Sequence, residues 1–302
     1  MDLRRIEIFT AAASAGSFTA AARRLHLSQS AVSQQIKLLE EEIGEALFVR
    51  THHQPKLTPR GERLLLTSQE LLQTWSRFRE LASLGNAAVN GNLKVGTSAA
   101  ATSFLWLAIY REFGLSHPSV VLDVRTMPAT DASIADLRSG ELDVAFVPLP
   151  LKLTGIEERV LGVQRAVLCA SPQHPLTRKR EVTAADLGAQ RFVLYEPSTS
   201  IRWLANVYFD RERLDPKVGL ESNDTHLLKA MVEAGYGIGF LPDWGIQREL
   251  DERRLVALSV SGAPLQQSLG LIFRRGSVSR VARAFIDFCQ SHTHLLPRIA
   301  QA

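Results

Sequence analysis

The sequence predicts an α/β protein of three parts: a small helical unit ending in a hairpin, a long connecting helix, and a larger two-lobed α/β region. Three observations carry this prediction. Apolar residues recur at three- and four-residue spacing through residues 3–43. A proline-initiated apolar stripe follows between Thr58 and Leu84. Beyond Leu93, short apolar strands alternate with helical segments. With 302 residues, 45% hydrophobic and 22% charged, the chain buries cores in two or three compact units and is not disordered.

In order along the chain, Leu3, Ile6, Phe9 and Ala13 form one face of a first helix that Gly16 ends. Ser17 caps a short second helix, Phe18 to Leu25, whose Ala20, Ala21 and Ala22 let another helix approach closely. His26 and Leu27 make the turn. Ser28 caps a third helix with a buried stripe of Val32, Ile36, Leu39 and Ile43, and Gly44 suits its left-handed C-terminal position. "LFVRTHHQPKLT" then reads as a hairpin wing. Thr58 and Pro59 open the long helix, in which Leu64, Leu71, Trp75 and Phe78 form a near-heptad stripe. That stripe either packs on its own domain or pairs with a second chain. Pairing is the reading adopted, because a small wing domain offers little surface to cover it. "LGNAAVNGNL" is the expected linker.

The strands "LKVGTS", "VVLDVRTM", "LDVAFVP", "RAVLCAS", "RFVLY", "KVGLES", "GIGFLP" and "LGLIF" follow, and their alternation with helices implies parallel α/β layers. "GELDVAFVP" and "AGYGIGFLP" echo one another, each a strand after a helix and each ending in proline. The echo reflects either two similar lobes or an ordinary helix-to-strand joint.

Composition narrows the function. A net charge of +4 permits nucleic-acid binding without requiring it. Cys169 and Cys289 are far apart and lie in no metal-binding or redox spacing, so no disulfide framework and no metal site is expected, and a reducing cytoplasm fits. No apolar run reaches the ~18 residues of a membrane span, and no secretory leader is read. Gly235, Gly237 and Gly239 follow a helix and precede a strand, the reverse of a dinucleotide-binding order. With no catalytic constellation either, the chain is read as neither an enzyme nor a cofactor protein.

The outer face of the third helix is more informative. Ser30, Ser33, Gln34 and Lys37 lie opposite its apolar stripe, where a solvating face carries Glu and Lys pairs. Two helices joined by a tight turn, the second presenting small polar groups, suit entry into a DNA major groove. Gln29 and Gln34 are fitted to adenine, Ser30 and Ser33 permit close approach, and Lys37 reaches guanine or phosphate. Glu40, Glu41, Glu42 and Glu45 sit at the far end, tilted away from the duplex. Arg50, His52, His53, Gln54 and Lys56 at the wing tip suit the DNA backbone or a minor groove. In the α/β region, ligands bind beyond the carboxyl ends of strands. Thr97, Ser98, Thr126, Ser198, Thr199 and Ser200 gather there around one cleft, with Arg202 as a charge partner. Each hydroxyl alone is as well explained as a helix cap.

"GSFTAAARRLHLSQSAVSQQIKLLEEEIGEALFVR" with "LTPRGERLL" resembles the LysR-type transcriptional regulators, and "LRSGELDVAFVP" and "MVEAGYGIGFLP" extend the resemblance over the whole chain. It implies a winged helix-turn-helix DNA-binding domain at 1–60, a dimerising linker helix at 58–84, a hinge at 85–92, and a periplasmic-binding-protein-like effector domain at 93–302. Lobe I comprises 93–162 and 266–302, and lobe II comprises 163–265. The resemblance assigns Gln29, Ser30, Ser33, Gln34 and Lys37 to DNA contact, Thr19 to phosphate, Arg50 and His53 to the wing, and Ser98, Thr126, Val147 and Thr199 to the effector. Ser30 stands where many relatives have proline, and Gln34 where arginine is frequent.

The expected function is a cytoplasmic regulator that binds promoter DNA as a homodimer or a homotetramer and answers to a small polar or anionic effector, with RNA polymerase as a further partner. Two rivals are a two-lobed small-molecule-binding protein without a specific DNA site, and a chromosome-coating protein that ignores sequence.

Overall fold

The structure, a computed structural model, describes residues 2–49, 55–82, 89–262, 264–276 and 278–297. The chain forms two compact units, Met1–Ala87 with Arg138–Glu141, and Ala88–Leu137 with Leu142–Ala302. Each is built around its own apolar core.

The first unit contains α1 (Leu3–Ala15), α2 (Phe18–Leu25) and α3 (Gln29–Ile43), the hairpin of β1 (Phe48–Val49) and β2 (Lys56–Leu57), and α4 (Pro59–Ala82). Asp2, Ser17 and Ser28 cap the first three helices, their side chains accepting from the N–H groups of Arg5, Ala20 and Ala31. Gly16 and Gly44 close α1 and α3 in the left-handed region, at φ 60° and 79°. His26 takes the same conformation after α2, its N–H donating to the carbonyls of Ala22 and Arg23. Ala12 and Ala21 are fully buried, which brings the helices close around Ile8, Phe9, Val32, Ile36 and Leu39. Phe48 seals this core edge-on against Phe9 and Phe18, with ring centroids at 5.8 and 5.2 Å.

Two contacts fix the hairpin to the helices. Glu40 Oε1 accepts from the N–H groups of Leu47 at 2.7 Å and Phe48 at 3.1 Å. Glu40 is thus a strut under the strand, a role no local sequence pattern announces. Thr58 caps α4 through the N–H of Gly61 and donates its hydroxyl to Ala46 O. A side chain at Gly61 would overlap the Leu47 carbonyl, so this turn requires glycine.

The predicted stripe of α4 divides. Leu64 packs on the core of the N-terminal unit, whereas Leu71, Trp75 and Phe78 are exposed, with Trp75 and Phe78 stacked at 5.5 Å. Much of the expected 85–92 hinge lies outside the described residues. Its last part does not: the first strand of the next unit starts at Gly91, inside that segment.

The second unit runs β3 (Gly91–Thr97), α5 (Ala99–Phe104), α6 (Leu107–Ser116), β4 (Val120–Thr126), α7 (Thr130–Ser139), β5 (Val144–Leu149) and β6 (Ile156–Ala170). It continues through α8 (Ala184–Leu187), β7 (Arg191–Tyr195), α9 (Ser200–Glu212), β8 (Lys217–Ser222), α10 (Thr225–Glu233), β9 (Gly239–Pro242) and α11 (Asp243–Asp251). β10 (Val256–Ala257), β11 (Gln266–Arg274) and α12 (Arg280–Ser291) complete it.

One sheet has the order β10-β6-β11-β5-β3-β4, with β9 also on β6, while β7 and β8 form a separate pair. β6 links the lobes. Its first ten residues, Ile156–Arg165, pair with β11, and Ala166–Ala170 pair with β9 and β10. Only the second half of this strand is legible in the sequence, because Glu157, Glu158 and Arg159 interrupt the apolar run. The expectation of parallel layers also needs correction: β3 is parallel to β4 and β5, and β7 to β8, but β11 is antiparallel to both β5 and β6. The chain returns from the second lobe through β11, which reverses its direction in the sheet.

Alternate residues of β5 separate two cores in lobe I. Val144 and Phe146 join Trp106, Phe113 and Phe285 on one face, and Ala145 and Val147 join Leu137 and Ile272 on the other. Lobe II surrounds Phe192, Tyr208, Phe209 and Phe240. Among the described residues, no helix is long and apolar enough to cross a membrane.

Candidate functional site

In the N-terminal unit the burial of Val32, Ile36 and Leu39 turns the opposite face of α3 outward. Gln29, Ser30, Gln34 and Lys37 are exposed, Ser33 is half-buried on the same side, and Thr19 is exposed on α2. Among the described residues, Gln29 and Gln34 make no side-chain hydrogen bond and keep their amides free. Ser30 Oγ lies 3.0 Å from Ser28 Oγ, and Lys37 lies 3.7 Å from Glu41 in a solvent-exposed pair. Such a pair contributes little and leaves the ammonium available. Gln35, next in sequence, is occupied: its Oε1 accepts from Arg5 Nε at 3.2 Å, and Arg5 also holds Glu42. Lys56 is exposed on β2, whereas Arg50, His52, His53 and Gln54 lie outside the described residues.

In the C-terminal unit, the carboxyl ends of β3, β4, β7 and β8 meet at a cavity of about 530 Å³. This is the position where open α/β sheets bind ligands, and the size suits a small metabolite. Ser98, Thr126, Val147, Ser198, Thr199 and Ser200 line it. Thr97 does not: it is buried within β3, one residue short of the lining. Arg202 is also absent from the wall. Its guanidinium turns back to donate to the Tyr195 carbonyl at 2.8 Å and to Asn206 Oδ1 at 3.0 Å, and it pairs with Glu221. The described lining contains no lysine or arginine. An anion here would meet hydroxyls and the N–H groups at the starts of α7 and α9, whereas those of α10 are taken by the Asp224 carboxylate.

Several wall residues escaped the sequence reading. Gln164, buried on β6, donates from Nε2 to Ser200 Oγ at 2.9 Å and accepts from Trp244 Nε1 at 3.3 Å, joining three elements at the cavity floor. A glutamine inside "VLGVQRAV" was the available signal. Asn223, Asp224 and Thr225 complete the lining after β8, the one strand end that reading left out. Asp224 caps α10 through the N–H groups of His226 and Leu227, and Thr225 Oγ1 lies 2.7 Å from the Tyr195 hydroxyl. Burial pushes the Tyr195 phenol up, which keeps it neutral as a hydrogen-bonding group.

Both cysteines are free and buried, and burial pushes the Cys169 thiol up to about 12 and the Cys289 thiol higher. Neither is a reactive thiolate. Among the described residues, no cluster of His, Cys, Asp or Glu is arranged to hold a metal ion.

The chain matches two family models, "Bacterial regulatory helix-turn-helix protein, lysR family" over residues 3–62 and "LysR substrate binding domain" over residues 86–294. It is 29% identical over 294 residues to the RuBisCO operon transcriptional regulator of Allochromatium vinosum, covering 96% of each chain. It is 30% identical over 244 residues to the transcriptional regulator AlsR of Bacillus subtilis, covering 80% of each. Its fold is similar to that of a full-length OxyR variant from Pseudomonas aeruginosa, with TM-score 0.81 and 22% identity over 100% of this chain and 98% of that one. The chain belongs to the LysR family of DNA-binding transcriptional regulators.

Proposed function

We propose that this regulator reads promoter DNA with the exposed face of α3, using Gln29, Ser30, Ser33, Gln34 and Lys37 on base edges and Thr19 on phosphate, with Arg50 and His53 on the wing. The observation that carries this reading is the pair of free glutamine amides beside small serines on a protruding helix. Two copies join through Leu71, Trp75 and Phe78 of α4, and two such dimers form a tetramer on half-sites one helical turn or a multiple apart. A small polar or anionic effector enters the cavity at Ser98, Thr126 and Ser198–Ser200 and shifts the populations of two assembly shapes. The altered DNA bend then changes contact with RNA polymerase. Its place of work is the bacterial cytoplasm, and no catalytic step is assigned to it.

The test compares Ser33→Ala/Gln34→Ala with the parent protein on its operator and on a random duplex. Base reading predicts a loss of about tenfold or more on the operator and much less on random DNA. Equal losses on both would refute it. The effector site is tested separately, by losing a ligand-induced thermal shift in Thr126→Ala/Ser200→Ala.

A further inference from the structure

Among the side chains at which the two lobes of the C-terminal unit meet is one aromatic that neither the sequence nor the family match singled out. Phe104, the last residue of α5, belongs to lobe I and lines the cavity. Its ring reaches lobe II, 4.9 Å from the His226 ring on α10 and 6.3 Å from the Trp244 ring on α11. Beneath it lies Lys229, whose Nζ is 4.6 Å from the ring centroid.

Lys229 is only 5% exposed. Its ammonium donates to the Gly245 carbonyl at 2.9 Å and to Glu249 Oε1 at 2.6 Å, and Arg254 approaches the same carboxylate at 3.5 Å. Arg254 is in turn anchored on Glu233 at 2.7 Å. The cation is therefore fixed within lobe II between α10 and α11, yet one side of it faces the ring of a residue from the other lobe. A desolvated ammonium against an aromatic face is held more strongly than an exposed one.

We propose that Phe104 is the positioning residue that sets the angle between the lobes, by resting its ring on buried Lys229. Its consequence for regulation rests on reading the cavity as the effector site. α5 is a short rigid rod: Ser98 caps it at the cavity through the N–H of Ala101, and Phe104 ends it in the slot between α10 and α11. A ligand that engages Ser98 displaces the rod along its axis, and the ring slides on the cation. Occupancy is thereby converted into a change of lobe angle.

The test measures the distance between lobes in the full-length, unliganded protein. Spin labels are placed through Asp287→Cys on α12 and Arg180→Cys in lobe II, both exposed positions, and labelled protein is diluted with unlabelled so that only pairs within one chain report. Phe104→Leu keeps an apolar side chain but removes the π-face. Lys229→Met with Glu249→Gln removes the cation without leaving a buried carboxylate unpaired. Each is expected to raise the population of wider distances about tenfold. Combining them should add nothing, and Phe104→Tyr should restore the narrow distribution. A parental distribution in Phe104→Leu, or effects that add in the combined variant, would overturn the proposal. Because no ligand is present, such a failure concerns this contact alone, whereas failure of the effector reading shows in the Thr126→Ala/Ser200→Ala thermal shift.

Discussion

Replacing Glu40 with alanine is expected to destabilise the N-terminal unit by about 2–4 kcal/mol. One carboxylate oxygen accepts from two backbone N–H groups, of Leu47 at 2.7 Å and Phe48 at 3.1 Å. Both residues are buried, at 0% and 4% exposure, so water cannot replace the lost acceptor without opening the core. A hydrogen bond to a charged group is worth about 1.5–3 kcal/mol net, and a stranded buried donor costs about 1–3 kcal/mol; the two figures overlap, which sets the range. Glu40→Gln keeps an acceptor without the charge and should cost about 1 kcal/mol. Amide hydrogen exchange on the full-length chain measures this, because it reports the opening of α1 and α3 separately from the larger unit. The Glu40→Ala variant should lose protection throughout α3, and its DNA affinity should fall on operator and random duplex alike. Protection within about 0.5 kcal/mol of the parent would refute the reasoning.

Three further outcomes are expected. Gly61→Ala should cost the same unit about 1–2 kcal/mol despite the better helix propensity of alanine, because the new methyl meets the Leu47 carbonyl; hydrogen exchange in α4 and the hairpin checks it. Trp75→Ala/Phe78→Ala should weaken self-association about 30-fold or more, seen as lighter species in sedimentation velocity, and an unchanged mass would exclude α4 as the pairing surface. The third concerns acid. Burial raises the Glu249 carboxyl, but the Lys229 hydrogen bond and charge outweigh it and hold the group below the ordinary carboxylate range. Such a group stabilises the fold above its unfolded value and loses that contribution as pH falls through its folded one. The parent should therefore lose more thermal stability between about pH 5 and pH 3 than Lys229→Met/Glu249→Gln.

The helices of the N-terminal unit were legible because local rules sufficed. Ser17 and Ser28 are side-chain caps, Gly16 and Gly44 are left-handed ends, and the Val32–Ile36–Leu39 stripe faces a single core. The α/β region depends on pairing between distant residues, and there the reading lost detail. The polar start of β6 is paired with β11 across more than a hundred residues of chain, and no local pattern announces that. The hydroxyls at Ser98, Thr126 and Ser198–Ser200 were found because strand ends predict where a cavity opens. Arg202 follows the hydroxyl run closely in sequence, but proximity gives no information about direction, and the nearby Tyr195 carbonyl and Glu221 turn it away from the wall. Phe104 and Lys229 were invisible for a related reason. An aromatic after an alanine-rich helix reads as core, and a lysine in a helix reads as solvated, until folding places one against the other.

The most direct test of the account is a fluorescence-anisotropy titration of the full-length protein on the intergenic DNA upstream of its own gene, against a scrambled duplex of equal length, at two salt concentrations. Base reading by α3 predicts a preference for the natural fragment that survives the higher salt, because salt weakens phosphate contacts common to both duplexes and leaves base contacts in place. Equal affinity for the two duplexes, falling together as salt rises, would contradict it.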